Sequence, residues 1–384
     1  MSSSVLSVFK LVKAPVYSHC FSQDKSLLAI TCENNCLVYK LPAPNAVNGS
    51  TTPQLVATLA NHDKTVTAVD ISIHGRVVTC SQDRNAYVWE PLSDGTYKPT
   101  LVLLRINRAA TCVSWAPNGY KFAVGSSARI IAVCYYEQEN NWWVSKHIKK
   151  PIKSTVQCLA WHDNGVVLAS GGTDGYLRLF SGFVKGLDSK DAVANSPWAT
   201  KFPFGALVRE YYHGSYIEDV KWRSNLEKVA FVSHEGSLNV VDFQDSLQSV
   251  NAPDGLPFNS LCWVSDAEIV CAGFSCHPVL FAAGASGQWQ FAKDLDKAGA
   301  NTATPAPAPA NEDLDESEDA NTGFGMSALR KFKQLDLKGK VSTDAKESAH
   351  ENTITQLLPY TESAGSVTSI SACGLDGKVV LYKL

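Results

Sequence analysis

Residues 61–90, NHDKTVTAVDISIHGRVVTCSQDRNAYVWE, have the pattern of three short β-strands in succession. TVTAVDI alternates apolar and polar side chains, RVVTCS is rich in β-branched residues, and NAYVW alternates again. SQDR, at residues 81–84, has the composition of a tight turn between the second and third strands. The stretch therefore predicts an antiparallel meander.

Four polar side chains of this stretch are spaced so that they satisfy one another beneath a hydrophobic layer. Asp83 in the tight turn accepts a hydrogen bond from His62 on the preceding loop. His62 in turn bonds the hydroxyl of Thr79, which accepts the indole N–H of Trp89. This spacing is typical of a WD repeat, and we interpret the four residues as a structural network.

The same frame recurs seven times along the chain, with a period of roughly 40–50 residues that indicates a β-propeller. The residues that close the first strand of each repeat are Phe21, Ile71, Trp115, Trp161, Trp222, Trp263 and Leu357. The turn positions are Glu33, Asp83, Ala128, Asp174, Glu235, Cys276 and Asp376. The third-strand positions six residues later are Tyr39, Trp89, Cys134, Phe180, Val241, Ala282 and Tyr382. Repeats two and four match the frame clearly, one and seven match it fairly, and three, five and six are degenerate.

The predicted fold is therefore all-β: one seven-bladed WD-repeat propeller that spans residues 1–384. The sequence ends at VVLYKL, the third strand of the seventh repeat. We expect residues 6–12 to supply the missing outer strand and close the ring, because an unclosed propeller leaves two bare sheet edges.

Composition favours a soluble, cytosolic protein. The net charge of −3 argues against a general nucleic-acid binder, and the eleven cysteines fall mainly in predicted strands, as core residues of a reducing compartment do. Residues 269–292 contain no charged residue, but Gly273, Pro278, Gly284 and Gly287 interrupt them. We therefore expect strands there and no membrane insertion.

Two basic segments occupy corresponding places on neighbouring blades. Arg105 and Arg108 lie between the second and third repeats, and Lys146, Lys149 and Lys150 lie between the third and fourth. Each segment taken alone is consistent with a solvated loop. Because both belong to the same face of a propeller, the alternative is one composite patch for an acidic partner.

Residues 293–349 interrupt the repeats between blades six and seven. TPAPAPA predicts a stiff spacer and NEDLDESED a disordered acidic run. Within residues 324–338, FGMSALRKFKQLDLK, we predict a short amphipathic helix with an apolar half formed by Met326, Leu329, Phe332 and Leu335. Such a helix could dock on its own propeller, remain disordered or enter a groove of a partner.

A second, shorter insertion within residues 181–207 contains Trp198, Phe202 and Phe204. These aromatic residues either pack on the blade rim or face a partner.

Patterns of catalysis are weak in this sequence. His62, Asp83 and Thr79 superficially resemble a catalytic triad, but the repeat explains them. GGTDG, at residues 171–175, is a turn without the helix and Lys of a phosphate loop, and Cys271, Cys276 and His277 lack a second pair of zinc ligands. We therefore predict no catalytic residue, no cofactor and no metal.

Several longer segments are more specific than the repeat itself. TCSQDRNAYVWE, KPTLVLLRINRAATCVSWAPN, KFAVGSSARIIAVCYYEQENNWWVSKHIKKPIKSTV, PWATKFPFG and HPVLF closely resemble the WD-repeat subunits of the actin-related protein 2/3 complex. The resemblance implies a non-catalytic subunit in an assembly of two actin-related proteins and several smaller subunits, which starts a new actin filament on the side of an existing one. It also implies residence in the cytoplasm, at cortical actin structures.

The resemblance also implies two functional sites. The propeller of this family contributes to the binding of activators, so the basic patch is expected to receive an acidic activator tail. A helical insert late in the chain is associated with actin contact, and RKFKQLDLK matches it, which assigns the contact to Leu329, Arg330, Phe332, Lys333 and Leu335. Two other interpretations stay open: an adaptor propeller of a ubiquitin ligase or vesicle coat, and a propeller hydrolase, for which a nucleophile–base pair is missing.

Overall fold

The structure, a computed structural model, describes residues 4–42, 52–189, 203–296, 348–363 and 365–384. These residues form seven antiparallel sheets of four strands, and successive sheets pack side by side around a channel of about 510 Å³. The predicted all-β, seven-bladed propeller is confirmed. In the described ranges the only helical element is one 3₁₀ turn, Ser224–Leu226, and no helix there is long and apolar enough to cross a membrane.

The strands follow one another in a repeating order from the channel outward. Blade one contains β2 (His19–Phe21), β3 (Leu27–Cys32), β4 (Asn35–Lys40) and β5 (Gln54–Leu59); blade two contains β6 (Val66–Ile71), β7 (Val77–Ser81), β8 (Ala86–Pro91) and β9 (Tyr97–Val102). Blade three contains β10 (Ala110–Trp115), β11 (Lys121–Ser126), β12 (Ile131–Glu137) and β13 (Trp142–Ile148); blade four contains β14 (Val156–Trp161), β15 (Val167–Gly172), β16 (Tyr176–Ser181) and β17 (Leu207–Tyr212). Blade five contains β18 (Ile217–Arg223), β19 (Lys228–Ser233), β20 (Ser237–Asp242) and β21 (Leu247–Asn251); blade six contains β22 (Phe258–Ser265), β23 (Glu268–Gly273), β24 (Val279–Ala283) and β25 (Trp289–Asp294). Blade seven contains β26 (Ile354–Ser363), β27 (Ser366–Gly374), β28 (Lys378–Lys383) and, as its outer strand, β1 (Val5–Lys10).

Side chains at the start of the inner strands connect each blade to the next. The hydroxyl of Thr67 donates to the carbonyl oxygen of Ala110 at 3.1 Å, and the hydroxyl of Thr111 donates to the carbonyl oxygen of Val156 at 2.5 Å. In blade six, the amide of Asn259 donates to the carbonyl of Ile354 at 3.0 Å. These bonds satisfy backbone carbonyls that no strand partner covers, because the inner strands of adjacent blades diverge.

Three of the four tryptophans predicted to close the first strands form a second set of links, in the reverse direction. The indole N–H of Trp161 donates to Ser114 O at 3.1 Å, that of Trp222 to Ala160 O at 3.1 Å, and that of Trp263 to Lys221 O at 3.3 Å. Each indole therefore buries apolar area between two blades while its one polar atom bonds the previous inner strand.

The polar network of blade two has the geometry that its spacing suggests. His62 Nδ1 lies 2.7 Å from Asp83 Oδ2, His62 Nε2 lies 2.9 Å from Thr79 Oγ1, and Trp89 Nε1 donates to Thr79 Oγ1 at 2.9 Å. Burial lowers the pKa of His62, although Asp83 opposes that shift. A neutral His62 donates from Nδ1 to the carboxylate and accepts the Thr79 hydroxyl proton at Nε2, so every polar atom of the set has a partner.

The degenerate blades are stabilised by other contacts. Blade three has Ala128 at the turn position and packs three aromatic rings instead: Trp115, Phe122 and Trp143 have centroid separations of 4.9, 5.3 and 5.9 Å. In blade five, His213 Nε2 lies 2.9 Å from the Glu235 carboxylate. The repeat therefore tolerates loss of the network where aromatic packing or another ion pair replaces it.

The first strand closes the ring, as the sequence predicts. β1 pairs antiparallel with β28, with Val8 opposite Val380 and Lys10 opposite Lys378. The amides of Leu11 and Val12 then both approach the carbonyl of Gly377, at 3.3 and 3.4 Å. The chain continues directly into blade one, so the two ends of the sequence share one sheet.

A buried seam joins blades seven and one. His19 Nε2 lies 2.8 Å from the Ser371 hydroxyl, the His19 amide donates to Gln356 Oε1 at 2.7 Å, and the Thr355 hydroxyl donates to Val16 O at 2.7 Å. Complete burial lowers the pKa of His19 to about 3, so this imidazole is neutral at physiological pH.

The closing segment leaves no space for a side chain at Gly377. Gly377 has φ +76°, and a Cβ there would lie 2.2 Å from Val12 O, whereas Gly287 has φ +77° with no atom within 4 Å of its Cβ position. Both Gly→Ala changes impose about 1 kcal/mol of left-handed strain. We expect Gly377→Ala to cost about 1–3 kcal/mol more, because it pushes residue 12 away from the seam. Thermal melting of the two variants measures the difference, and equal melting temperatures would contradict this account of closure.

The network makes a second prediction. Thr79→Val keeps the shape of the side chain but leaves the Trp89 N–H and the His62 Nε2 buried without a partner, at about 1–3 kcal/mol for each orphaned group. Thr79→Ser keeps the hydroxyl and loses one methyl group, which costs about 1 kcal/mol. Denaturant unfolding should therefore rank wild type above Ser and Ser well above Val. If Val is as stable as Ser, the hydroxyl contributes nothing.

Candidate partner-binding face

Antiparallel strands sort the connections of the propeller onto two faces. The turns from first to second and from third to fourth strand lie together on what we name the turn face. The turns from second to third strand and the connections between blades lie on the opposite, loop face. The two predicted basic segments, residues 103–109 after β9 and residues 149–155 after β13, are both blade connections and belong to the loop face.

Hydrogen bonds hold the first basic segment against the strand that leads into the second. His147 Nε2 donates to the carbonyl of Leu104 at 2.8 Å, and the Ser145 hydroxyl donates to the carbonyl of Leu103 at 3.0 Å. Arg105 therefore follows a fixed carbonyl, in a left-handed backbone conformation with φ 54°. The two basic segments adjoin one another in space.

Four of the five predicted basic residues are exposed on these segments: Arg105, Arg108, Lys149 and Lys150. Lys146 differs, because it belongs to β13 and is half-buried. Its ammonium lies 5.8 Å from the centre of the Tyr135 ring and 5.5 Å from that of Phe204. This cation–π packing places Lys146 beside the loops rather than among their exposed side chains.

Two further arginines lie on the same face and were not singled out from the sequence. Arg84 and Arg129 directly follow the turn positions Asp83 and Ala128, are exposed, and have φ values of 75° and 61°. The amide of Ser127 donates to Ala109 O at 2.9 Å, which ties the Arg129 turn to the first basic segment. Their place directly after the turn position is the signal that would have identified them.

We name the six exposed residues the basic face; they are Arg84, Arg105, Arg108, Arg129, Lys149 and Lys150. The nearby carboxylate of Asp83 is bound by His62, and that of Asp174 lies 2.9 Å from Arg178. Asp63 adds one exposed carboxylate on the connection from blade one to blade two. Among the residues that the structure describes, none of the six forms an ion pair. Their field is therefore directed to solvent, where it attracts anionic segments.

The remaining sequence-predicted residues are placed as follows. Phe204 is half-buried against blades three and four, where it packs with the cluster around Ile148, while Trp198 and Phe202 lie outside the described residues. The predicted insert helix at residues 324–338 also lies outside the described residues, as do all five residues assigned to actin contact: Leu329, Arg330, Phe332, Lys333 and Leu335.

Catalytic or metal-binding geometry does not emerge from the candidate residues. The Thr79 hydroxyl is fully buried and already bonded to both the histidine and the indole, so it has no path to a substrate. His277 Nδ1 lies 3.0 Å from Asp294 Oδ2. Across the described part of the chain, no group of three or more His, Cys, Asp or Glu residues is arranged to hold a metal ion.

Comparison with known proteins agrees with this architecture. The family model described as WD domain, G-beta repeat matches residues 53–90 and 145–181, which include the first three strands of blades two and four, where the repeat frame is clearest.

Full-length relatives are more specific. The chain is 69% identical over 382 residues to actin-related protein 2/3 complex subunit 1 of Saccharomyces cerevisiae, covering 99% of this chain and 98% of the relative. It is 38% identical to the subunit 1 of Schizosaccharomyces pombe, covering 98% and 99% of the two chains, and 36% identical to subunit 1A-A of Xenopus laevis, covering 98% and 96%. This chain belongs to the family of actin-related protein 2/3 complex subunit 1.

Proposed function

We propose that this protein is a non-catalytic scaffold subunit of the actin-related protein 2/3 complex and acts in the cytoplasm, at cortical actin. The observation that carries the proposal is the family relationship, which spans almost the whole of both chains at 69% identity. In this role the propeller binds the actin-related proteins and the smaller subunits, and the complex starts branched actin filaments.

The basic face supports a second element of the proposal, reception of the acidic tail of an activator. Its six cations come from two turns and two blade connections, and the bond from the His147 side chain to the Leu104 carbonyl holds the two blade connections together. A disordered acidic peptide is attracted over a long range by such a surface, which chiefly raises the rate of association.

The third element is contact with actin through the insert. It rests on the sequence of residues 324–338, whose apolar half is centred on Phe332. An amphipathic helix gains affinity when that half enters an apolar groove, and the basic residues Arg330 and Lys333 would steer it toward acidic actin.

Charge reversal on the basic face tests activator binding. Arg105→Glu with Lys149→Glu should slow association of an acidic activator tail by on the order of tenfold at low salt, with a smaller effect at high salt. Lys40→Glu with Lys383→Glu is the matched control, because both lysines are exposed and end third strands at the turn face. Stopped-flow measurements on purified complexes give the rates. Unchanged association at low salt, or equal slowing in the control, would refute this role of the basic face.

Truncation of the apolar half tests actin contact. Phe332→Ala should leave the complex assembled and lower its affinity for filaments tenfold to a hundredfold, as expected for about 1.5–3 kcal/mol of lost apolar burial. Leu329→Asp should have the same direction of effect, because a groove cannot accept an unpaired charge. Gln334→Ala, on the polar half of the predicted helix, is the control. Branch density on filaments is the readout, and wild-type branching with Phe332→Ala would show that the insert is only a spacer.

A further inference from the structure

The turn face of blades two and three carries an exposed apolar cluster that neither the repeat nor the basic face explains. Ile73 and Tyr120 are 51% and 53% exposed, and Tyr136 is exposed as well. Scattered exposed apolar residues are ordinary, but a contiguous group rich in Tyr and Trp marks an interaction site.

Contacts between the turns show that these residues are contiguous. The rings of His74 and Tyr120 have centroids 5.2 Å apart, and His74 Nε2 donates to the carbonyl of Asn118 at 3.2 Å. The turn at Gly119 packs closely against blade two: a Cβ at Gly119 would lie 2.8 Å from the His74 ring and 3.0 Å from the Ile73 side chain. The first-to-second-strand turns of the two blades therefore form one surface.

The strands of blade three extend this surface outward. Lys121 pairs with Tyr135, so Tyr120 and Tyr136 are the next residues at the ends of the two neighbouring strands. Trp142 begins the outer strand opposite Glu137, the residue after Tyr136, so its side chain lies on the other face of the sheet from Tyr120 and Tyr136. We name the group of Ile73, His74, Tyr120 and Tyr136 the aromatic patch.

The charge around the aromatic patch is slightly negative. Exposed carboxylates lie on the adjoining turns at Asp94, Glu139 and Asp163. Of the basic residues on these blades, Arg76 is 3.7 Å from the Glu90 carboxylate, and Lys121 is buried against Asp188. Lys98 and Lys185 are exposed on the same face, so the excess of negative charge is small and apolar contact must supply most of the affinity.

We propose that the aromatic patch is a docking site for a segment of another polypeptide in which an aliphatic or aromatic residue is flanked by Lys or Arg. Tyr ring faces bind such cations by cation–π contact, and the carboxylates at Asp94 and Glu139 pair with them. The patch lies opposite the basic face, so the propeller holds this partner on one side while an acidic activator occupies the other. The identity of the partner as a subunit of the same complex rests on the proposed function.

Site-specific crosslinking in the assembled complex tests the proposal. The photo-reactive residue p-benzoylphenylalanine replaces Tyr120 in one variant and Tyr216, exposed on the loop face of blade five, in the control. We expect the Tyr120 position to crosslink one neighbouring subunit, at a segment with an apolar residue beside Lys or Arg, and the Tyr216 position not to crosslink that segment. A complex in which the Tyr120 position gives no crosslink, or crosslinks an acidic segment, would overturn the proposal.

Substitutions separate contact from folding. Tyr120→Ser combined with Tyr136→Ser should reduce incorporation into the complex at least tenfold while the isolated propeller melts as wild type does. Tyr120→Phe should incorporate normally, because the ring rather than the hydroxyl makes the contact. Normal incorporation of the double variant would also overturn the proposal. If the wild-type chain itself fails to co-purify with actin-related proteins, the proposed function is refuted instead, so the two failures are distinguishable.

Discussion

Ring closure is the constraint on which the rest of this structure depends. Each blade buries its two surfaces against its neighbours, so no sheet is complete until the seventh packs on the first. β28 would be a bare edge without β1. If blade seven did not pack on blade one, the seam through His19, Ser371, Gln356 and Thr355 would face water. Because the two ends of the sequence share one sheet, these local pairings form a single cooperative ring. The closed ring fixes the positions of the turns relative to one another.

Closure also explains why function divides between two faces. Antiparallel order sends alternate connections to opposite sides, so residues far apart in sequence become neighbours whenever they share a type of connection. Arg84, Arg108 and Arg129 meet on the loop face in this way, while Ile73, Tyr120 and Tyr136 meet on the turn face. A rigid ring thereby offers a basic surface and an aromatic surface that cannot approach one another. This arrangement suits a subunit that keeps one partner while it receives another.

The sequence predicts the fold well because each blade of a propeller has its own copy of one local sequence pattern. The spacing of His62, Thr79, Asp83 and Trp89 specifies three strands and a network at once, and the missing last strand of blade seven specifies the role of the first residues. The degenerate blades could be placed only from the spacing of the repeats along the chain. In blade three, contacts between Trp115, Phe122 and Trp143, which lie on three different strands, replace the polar network.

The candidate sites were harder to predict. The sequence placed Lys146 in a basic loop, but it belongs to a strand, and its ammonium packs on the rings of Tyr135 and Phe204. The aromatic patch was missed because its members are single residues on separate turns, which become a surface only when two blades pack together.

Residue-resolved hydrogen exchange on the intact chain tests closure most directly. If β1 closes the ring, every amide of β28 has a strand on both sides and should exchange as slowly as the amides of β27. The outer strand β5, which has a strand on one side only, provides the comparison, because its outward-pointing amides should exchange quickly. Slow exchange throughout residues 378–383 is the result that closure predicts. Rapid exchange of alternate amides in β28, as in β5, would show that the ring is open at blade seven.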